Sequence, residues 1–128
     1  MEEVLRAQLL AAPSVAALVG TRVDWGVRSQ GAVMPALVLH QISGVPQTNL
    51  AGASGWSSDR VQADCWGRTF KSARDVADAA SRTLHTLRAT LSGMKIRVFV
   101  IDRRSDSDSD VTGPVFRTSL DLMVWHTL

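Results

Sequence analysis

The chain reads as an α+β protein: a mainly antiparallel four- to five-stranded sheet packed against one long helix, with a short N-terminal helical segment. Three observations predict this. Apolar residues recur at every second position within Asp59–Trp66, Lys95–Asp102 and Val115–His126 (Val61, Ala63 and Cys65; Ile96, Val98 and Val100; Leu120, Leu122 and Val124), as in strands with one buried face. One stretch instead repeats its apolar residues every three or four positions: Phe70, Ala73, Val76, Ala77, Ala80, Leu84, Leu87 and Leu91. Hairpin-like links between successive strands favour antiparallel neighbours over crossovers.

The elements follow in order. Glu2–Ala12 places Val4, Leu5 and Leu9 near one helical side with acids in the first turn; Pro13 ends it, Ser14 caps a second short turn, and Gly20 stops that turn. Arg22–Val27 reads as a short strand, Arg28–Met34 as a loop, and ALVLHQIS from Ala36 as a strand of β-branched and large aliphatic residues. Ser43–Ser58 is poor in charge and rich in Gly, Ser, Asn and Gln, so it reads as a long mobile connection. After the Asp59–Trp66 strand comes the helix, capped by Thr69 or Ser72 and running about 22 residues at 1.5 Å each to a stop at Gly93. Ser105–Asp110 reads as a flexible acidic hairpin tip, carrying Asp106, Asp108 and Asp110 between the last two strands.

A chain of 128 residues, 45% hydrophobic and 20% charged, suits one globular domain over 1–128. The formal net charge is only +2, and the arginines are dispersed from Arg6 to Arg117 instead of forming one basic stripe. The single cysteine, Cys65, excludes an internal disulfide, and no apolar run approaches the ~20 residues that cross a bilayer. MEEVLRAQ begins with acids and shows no signal-peptide pattern, so the expectation is a protein used without export or membrane insertion.

No catalytic, cofactor or metal constellation stands out, and the chain reads as a non-enzyme. Asp106, Asp108 and Asp110 imitate the start of a calcium loop, but Val111 and Arg117 stand where that loop needs Gly and Glu. His40, His85 and His126 lie on different elements without a second ligand at zinc spacing. Cys65 sits on the apolar side of its strand, as a small buried hydrophobe does. Gly52–Gly55 misses the nucleophile elbow, and no phosphate or dinucleotide loop is present.

The informative residues lie on the other side of the strands. There Trp66 stands beside Asp64, Phe99 beside Arg97, and Met123 and Trp125 beside Asp121, with Arg60 and Arg117 on the same side, a mixture that a solvated sheet does not require. Two coverings suit it: the N-terminal helix folding over it, or a neighbouring subunit, since interface cores favour Trp, Met, Phe and Arg. Trp56, a lone aromatic among small polar residues, is a second candidate anchor.

PALVLHQISG (Pro35–Gly44), RVQADCWGRTFKSARDVADAA (Arg60–Ala80), FRTSLDLMVWH (Phe116–His126) and LLAAPSVAALVGTRV (Leu9–Val23) together resemble the tail-completion proteins of long-tailed phages. These proteins, also called tail terminators or head–tail joining proteins, occur in prophages and gene transfer agents too. The resemblance implies a structural virion protein that forms a ring, typically a hexamer, at the head-proximal end of the tail. Such a ring ends tube polymerisation and meets the head connector. It implies copies of itself, the tail tube protein and the connector as partners, and DNA passing through without sequence reading. The place of work would be the head–tail junction of a particle assembled in the bacterial cytoplasm. A head-completion or neck protein, and a small nucleic-acid-binding domain, are the alternatives. RRSDSDSD at Arg103–Asp110 is more charged than that family suggests.

Overall fold

The computed structural model describes residues 1–27, 33–49, 52–91, 93–110 and 113–127; the expected Arg28–Met34 loop lies mostly outside them. Helices α1 (Glu2–Ala11) and α2 (Pro13–Val19) open the chain. Pro13 starts α2 instead of only ending α1, because a first-turn N–H has no helical partner to lose. Ala12, not Ser14, precedes that turn, and Gly20 closes it at φ 59°, where a side chain is disfavoured. Then come β1 (Val23–Trp25), β2 (Ala36–Asn49), β3 (Gly52–Gly67), α3 (Phe70–Leu84), β4 (Arg88–Leu91), β5 (Met94–Asp110) and β6 (Gly113–Thr127).

The strands form one six-stranded sheet in the order β1-β2-β3-β6-β5-β4, curled into a half-barrel. β1 pairs with β2 in parallel, and every other junction is antiparallel. This corrects the expected four to five strands on one long helix: the protein is mostly sheet, with short helices.

Two local misreadings account for most of the difference. The helix stops at Leu84, because His85 turns extended and Thr86 adopts φ 62°. Leu87 then accepts a hydrogen bond from the Val98 amide at 3.1 Å, and Arg88–Leu91 becomes an edge strand against β5. Gly93 serves the β4–β5 turn instead of a helix end. Likewise, Ser43–Ser58 is not a mobile connection: its described residues extend β2 and β3 into a long hairpin paired as far as Asn49 and Gly52. The acidic Ser105–Asp110 run is also strand, paired with β6 out to Asp110 opposite Gly113.

Among the described residues the main hydrophobic cluster lies on one side of the sheet. Leu37 and Leu39, Ala63 and Cys65, Leu120, Leu122 and Val124, and Ile96 and Val98 meet the inner sides of all three helices, including Leu5, Val19, Ala77 and Leu84. Thr69 caps α3 by accepting a hydrogen bond from the Ser72 amide at 3.0 Å. Alanines along the inner side of α3 let it settle close to the sheet. Gly67 brings the chain from β3 onto the start of α3, where a Cβ would stand 2.6 Å from the Ala73 nitrogen.

Candidate interaction face

Because α1 packs into the same core as α3, it does not fold over the opposite face of the sheet. That face carries no helix among the described residues. Strand alternation fixes its contents: even-numbered residues of β3, odd-numbered residues of β6, and Arg97 and Phe99 of β5.

At one end it is aromatic. Arg97 lies opposite Trp125, and Phe99 opposite Met123, which in turn lies opposite Arg60 on β3. The Arg97 guanidinium reaches back over Trp56, 6.0 Å from the ring centroid, within cation–π range. Ser58 donates to Met123 Sδ at 3.0 Å. Trp56, Met123 and Trp125 are half-buried and Phe99 is exposed. Trp56 therefore sits on a paired strand, not on a loop.

The middle is a charged lattice around a buried carboxylate. Asp64 Oδ1 accepts from Ser119 Oγ at 2.7 Å and Gln62 Nε2 at 2.8 Å. Its Oδ2 faces His40 Nε2 at 3.2 Å and Arg117 Nη1 at 3.7 Å. Asp64 is only 2% exposed, and a buried carboxylate of this kind needs such partners. Asp121 is held by Arg104, with Arg60 at 3.9 Å. The hydrogen bond from Arg104 to Asp121 raises the guanidinium's already high pKa.

At the other end Arg117 stacks over Trp66 at 5.4 Å and forks onto Asp106, its Nε 3.0 Å from Oδ1. That hydrogen bond, chiefly, holds the Arg117 proton more firmly than usual, against a smaller cost of burial. Asp108 is exposed and accepts from the Ser109 amide at 2.8 Å; the Asp110 side chain lies outside the described residues. Asp106 is thus a cross-strand partner within the ladder.

The predicted residues therefore share one face but not one cluster: Trp56, Arg97, Phe99, Met123 and Trp125 gather at one end, and Trp66 and Arg117 at the other, with Arg60 between. Asp64, Ser119, Gln62 and Asp121 belong to this side by alternation but were not expected to form a lattice, and His40 and Arg104 were not expected in it at all. Alternation places Asp64, Ser119 and Asp121 on this side, but only the β3–β6 register brings Asp64 opposite Ser119.

A second polar cluster lies on the core side. Ser57 Oγ donates to Asp59 Oδ1 at 2.8 Å, and His126 Nε2 lies 2.7 Å from Asp59 Oδ2. The other ring nitrogen of His126 lies 3.0 Å from the Thr127 carbonyl. The hydroxyl is aimed at the carboxylate and not at the imidazole, so His126 is not placed to accept the serine proton. Cys65 is fully buried, and burial pushes its thiol pKa up strongly. Among the described residues no group of three or more His, Cys, Asp or Glu side chains is arranged to hold a metal ion, and no helix is long and apolar enough to cross a membrane.

A sequence profile of the family described as Tail completion protein gp17 matches residues 3–127. The chain belongs to that family. It is a structural protein of phage-type tails, and its place is the virion particle. A search of curated proteins returns no match. Among solved structures, a chain from the "Virion of native gene transfer agent (GTA) particle" superposes with a TM-score of 0.71. The match covers 97% of this chain and 92% of that one at 20% identity, so it establishes a shared fold for the family member described above.

Proposed function

We propose that the protein forms a ring, a hexamer on the family pattern, at the head-proximal end of a phage-type tail. There it ends tail-tube polymerisation and joins the tail to the head connector, as a structural part and not as an enzyme. The observation that carries this reading is the helix-free sheet face: one side of the sheet folds the chain, and the other offers Trp125, Met123, Phe99 and an arginine–tryptophan stack to whatever adjoins it in the particle. This face is assigned as the subunit or partner interface, with the tube or connector protein among its partners. Assembly takes place in the bacterial cytoplasm. If the Asp-rich end of the β5–β6 ribbon lines the passage it repels phosphate, which suits a junction that lets DNA pass without gripping it.

The nucleic-acid-binding alternative is weakened by the state of the arginines. Arg117 and Arg104 are engaged by carboxylates, Arg60 lies near Asp121, and Arg97 covers Trp56. The deciding experiment is deletion of the gene in producing cells, read by electron microscopy. Tubes longer than wild type, restored to normal length by the wild-type gene but not by Trp125→Asp, are expected. Normal-length tails lying unattached to heads would instead support the head-completion or neck reading, and attached tails of normal length would exclude both.

A further inference from the structure

The two outer edges of the sheet are stepped. β1 is three residues long and covers β2 only along Leu37–Leu39, whereas β2 continues to Asn49. β4 is four residues long and covers β5 only along Met94–Arg97, whereas β5 continues to Asp110. Among the described residues no strand lies beside either remainder.

The ladder register fixes the heights of these features. Asp24 pairs with Val38, which leads through Asp64 and Ser119 to Arg104. Arg88 pairs with Arg97, which leads through Trp125 and Ser58 to Val45. So β1 stands level with the uncovered half of β5 on the far edge, and β4 stands level with the uncovered half of β2. Each edge carries a step that matches the notch on the other.

We infer that copies of this chain join head to tail through these edges, in a lap joint. β4 of one copy enters the notch beside β2 of the next, whose β1 enters the notch beside β5 of the first. The inference rests on the ring reading above and supplies its joint.

Three features support a second copy as the occupant. Apolar side chains are left exposed in both notches: Ile42 (59%) and Val45 on β2, Phe99 and Ile101 (48%) on β5. Ile42 and Ile101 each sit at a register shift, and these two shifts stand at the height of the central Val61–Leu122 pair, so a copy rotated without rise brings them level. Charge agrees as well. Asp24 is exposed, and in the joint it arrives on the same face and at the same height as the half-exposed Arg104 of the neighbour. Strand direction is also compatible: β1 runs with β2 and therefore against β5, giving an antiparallel pair, while β4 runs with β2 and meets it as a parallel pair.

A two-fold contact between β1–β2 edges would leave the β5 notch, with Phe99 and Ile101, open to water. The head-to-tail joint fills both notches with one repeated contact, and repetition by rotation is what closes a ring.

The test is oxidative cross-linking of the full chain carrying Asp24→Cys and Arg104→Cys. Native Cys65 stays in place because it is buried. Expected is a reductant-sensitive ladder extending above the dimer, while each single variant stays monomeric on the gel. Efficient dimerisation of Asp24→Cys alone would overturn the joint in favour of the two-fold contact. A missing ladder alongside a ring in sedimentation would overturn the joint and leave the ring reading intact; a missing ladder with monomer at every concentration would overturn both. Independently, Ile101→Asp is expected to weaken self-association at least 10-fold with an unchanged melting temperature, and unchanged association would overturn the inference.

Discussion

Removing the Asp64 carboxylate tests whether the charged lattice on the helix-free face supports the fold. Ser119 is 4% exposed, and its hydroxyl donates to Asp64 Oδ1 at 2.7 Å. In Asp64→Ala that hydroxyl keeps its burial and loses its acceptor, which costs about 1–3 kcal/mol. The remaining losses are smaller. Arg117 retains Asp106, and His40 is 35% exposed with water to replace its partner, so together they contribute under about 1 kcal/mol. The sum is ~1–4 kcal/mol. At about 2.1 cal/mol/K per residue, unfolding a chain of 128 residues releases ~0.27 kcal/mol/K, so the melting temperature should fall by ~4–15 °C. Circular dichroism melts, with urea titration as a second probe, measure this. Asp64→Asn keeps an oxygen for Ser119 and should lose about half as much. An alanine variant melting within ~1 °C of wild type would refute the burial argument, and equal losses for alanine and asparagine would show that charge, not the Ser119 bond, is what matters.

Two further outcomes follow from local geometry. Gly67→Ala places a methyl group 2.6 Å from the Ala73 backbone nitrogen, which cannot give way as a side chain does; a loss of roughly 1–3 kcal/mol in urea unfolding is expected. The Asp75 carboxyl, hydrogen-bonded by Lys71 at 2.8 Å, titrates below the ordinary aspartate value of about 3.9. Its small contribution to stability is therefore present above that value and lost as pH falls through the lowered one, and NMR titration should show the midpoint returning to normal in Lys71→Met.

The sequence made the interior legible and the limits of the elements much less so. Alternation along β3, β5 and β6 separated the core side from the opposite side, because a two-residue period survives whatever packs on it. The apolar spacing of α3 was legible for the same kind of reason, but Leu87 continued the helical rhythm past the true end. No Gly or Pro marks the break at Thr86; what makes it is the tertiary pairing of Leu87 and Arg88–Leu91 with β5. Ser43–Ser58 misled in the opposite direction. Its Gly, Ser and Asn residues disfavour strands one by one, yet a hairpin already aligned from Ala36 and Trp66 carries the pairing outward. The Ser-Asp run of β5 is strand because Arg117 neutralises Asp106, and Ser105 reaches Thr118 at 3.3 Å, contacts between positions distant in sequence. The lattice around Asp64 was invisible for that reason too, since a register is a relation between strands and no single segment contains it.

The one-sided helix layer has a consequence for descent. Along β3 and β6 each residue answers to only one neighbourhood, helices or exterior, so substitutions on one side hardly disturb the other. Apart from the Ser57–Asp59–His126 cluster, the inward positions ask for apolar volume, which many side chains supply. Outward positions beyond the lattice around Asp64 and Ser119 carry no such demand from the fold. A lineage built this way can change much of its outward side and still inherit the same backbone, and the fold shared at 20% identity shows how wide a change in sequence that backbone accepts.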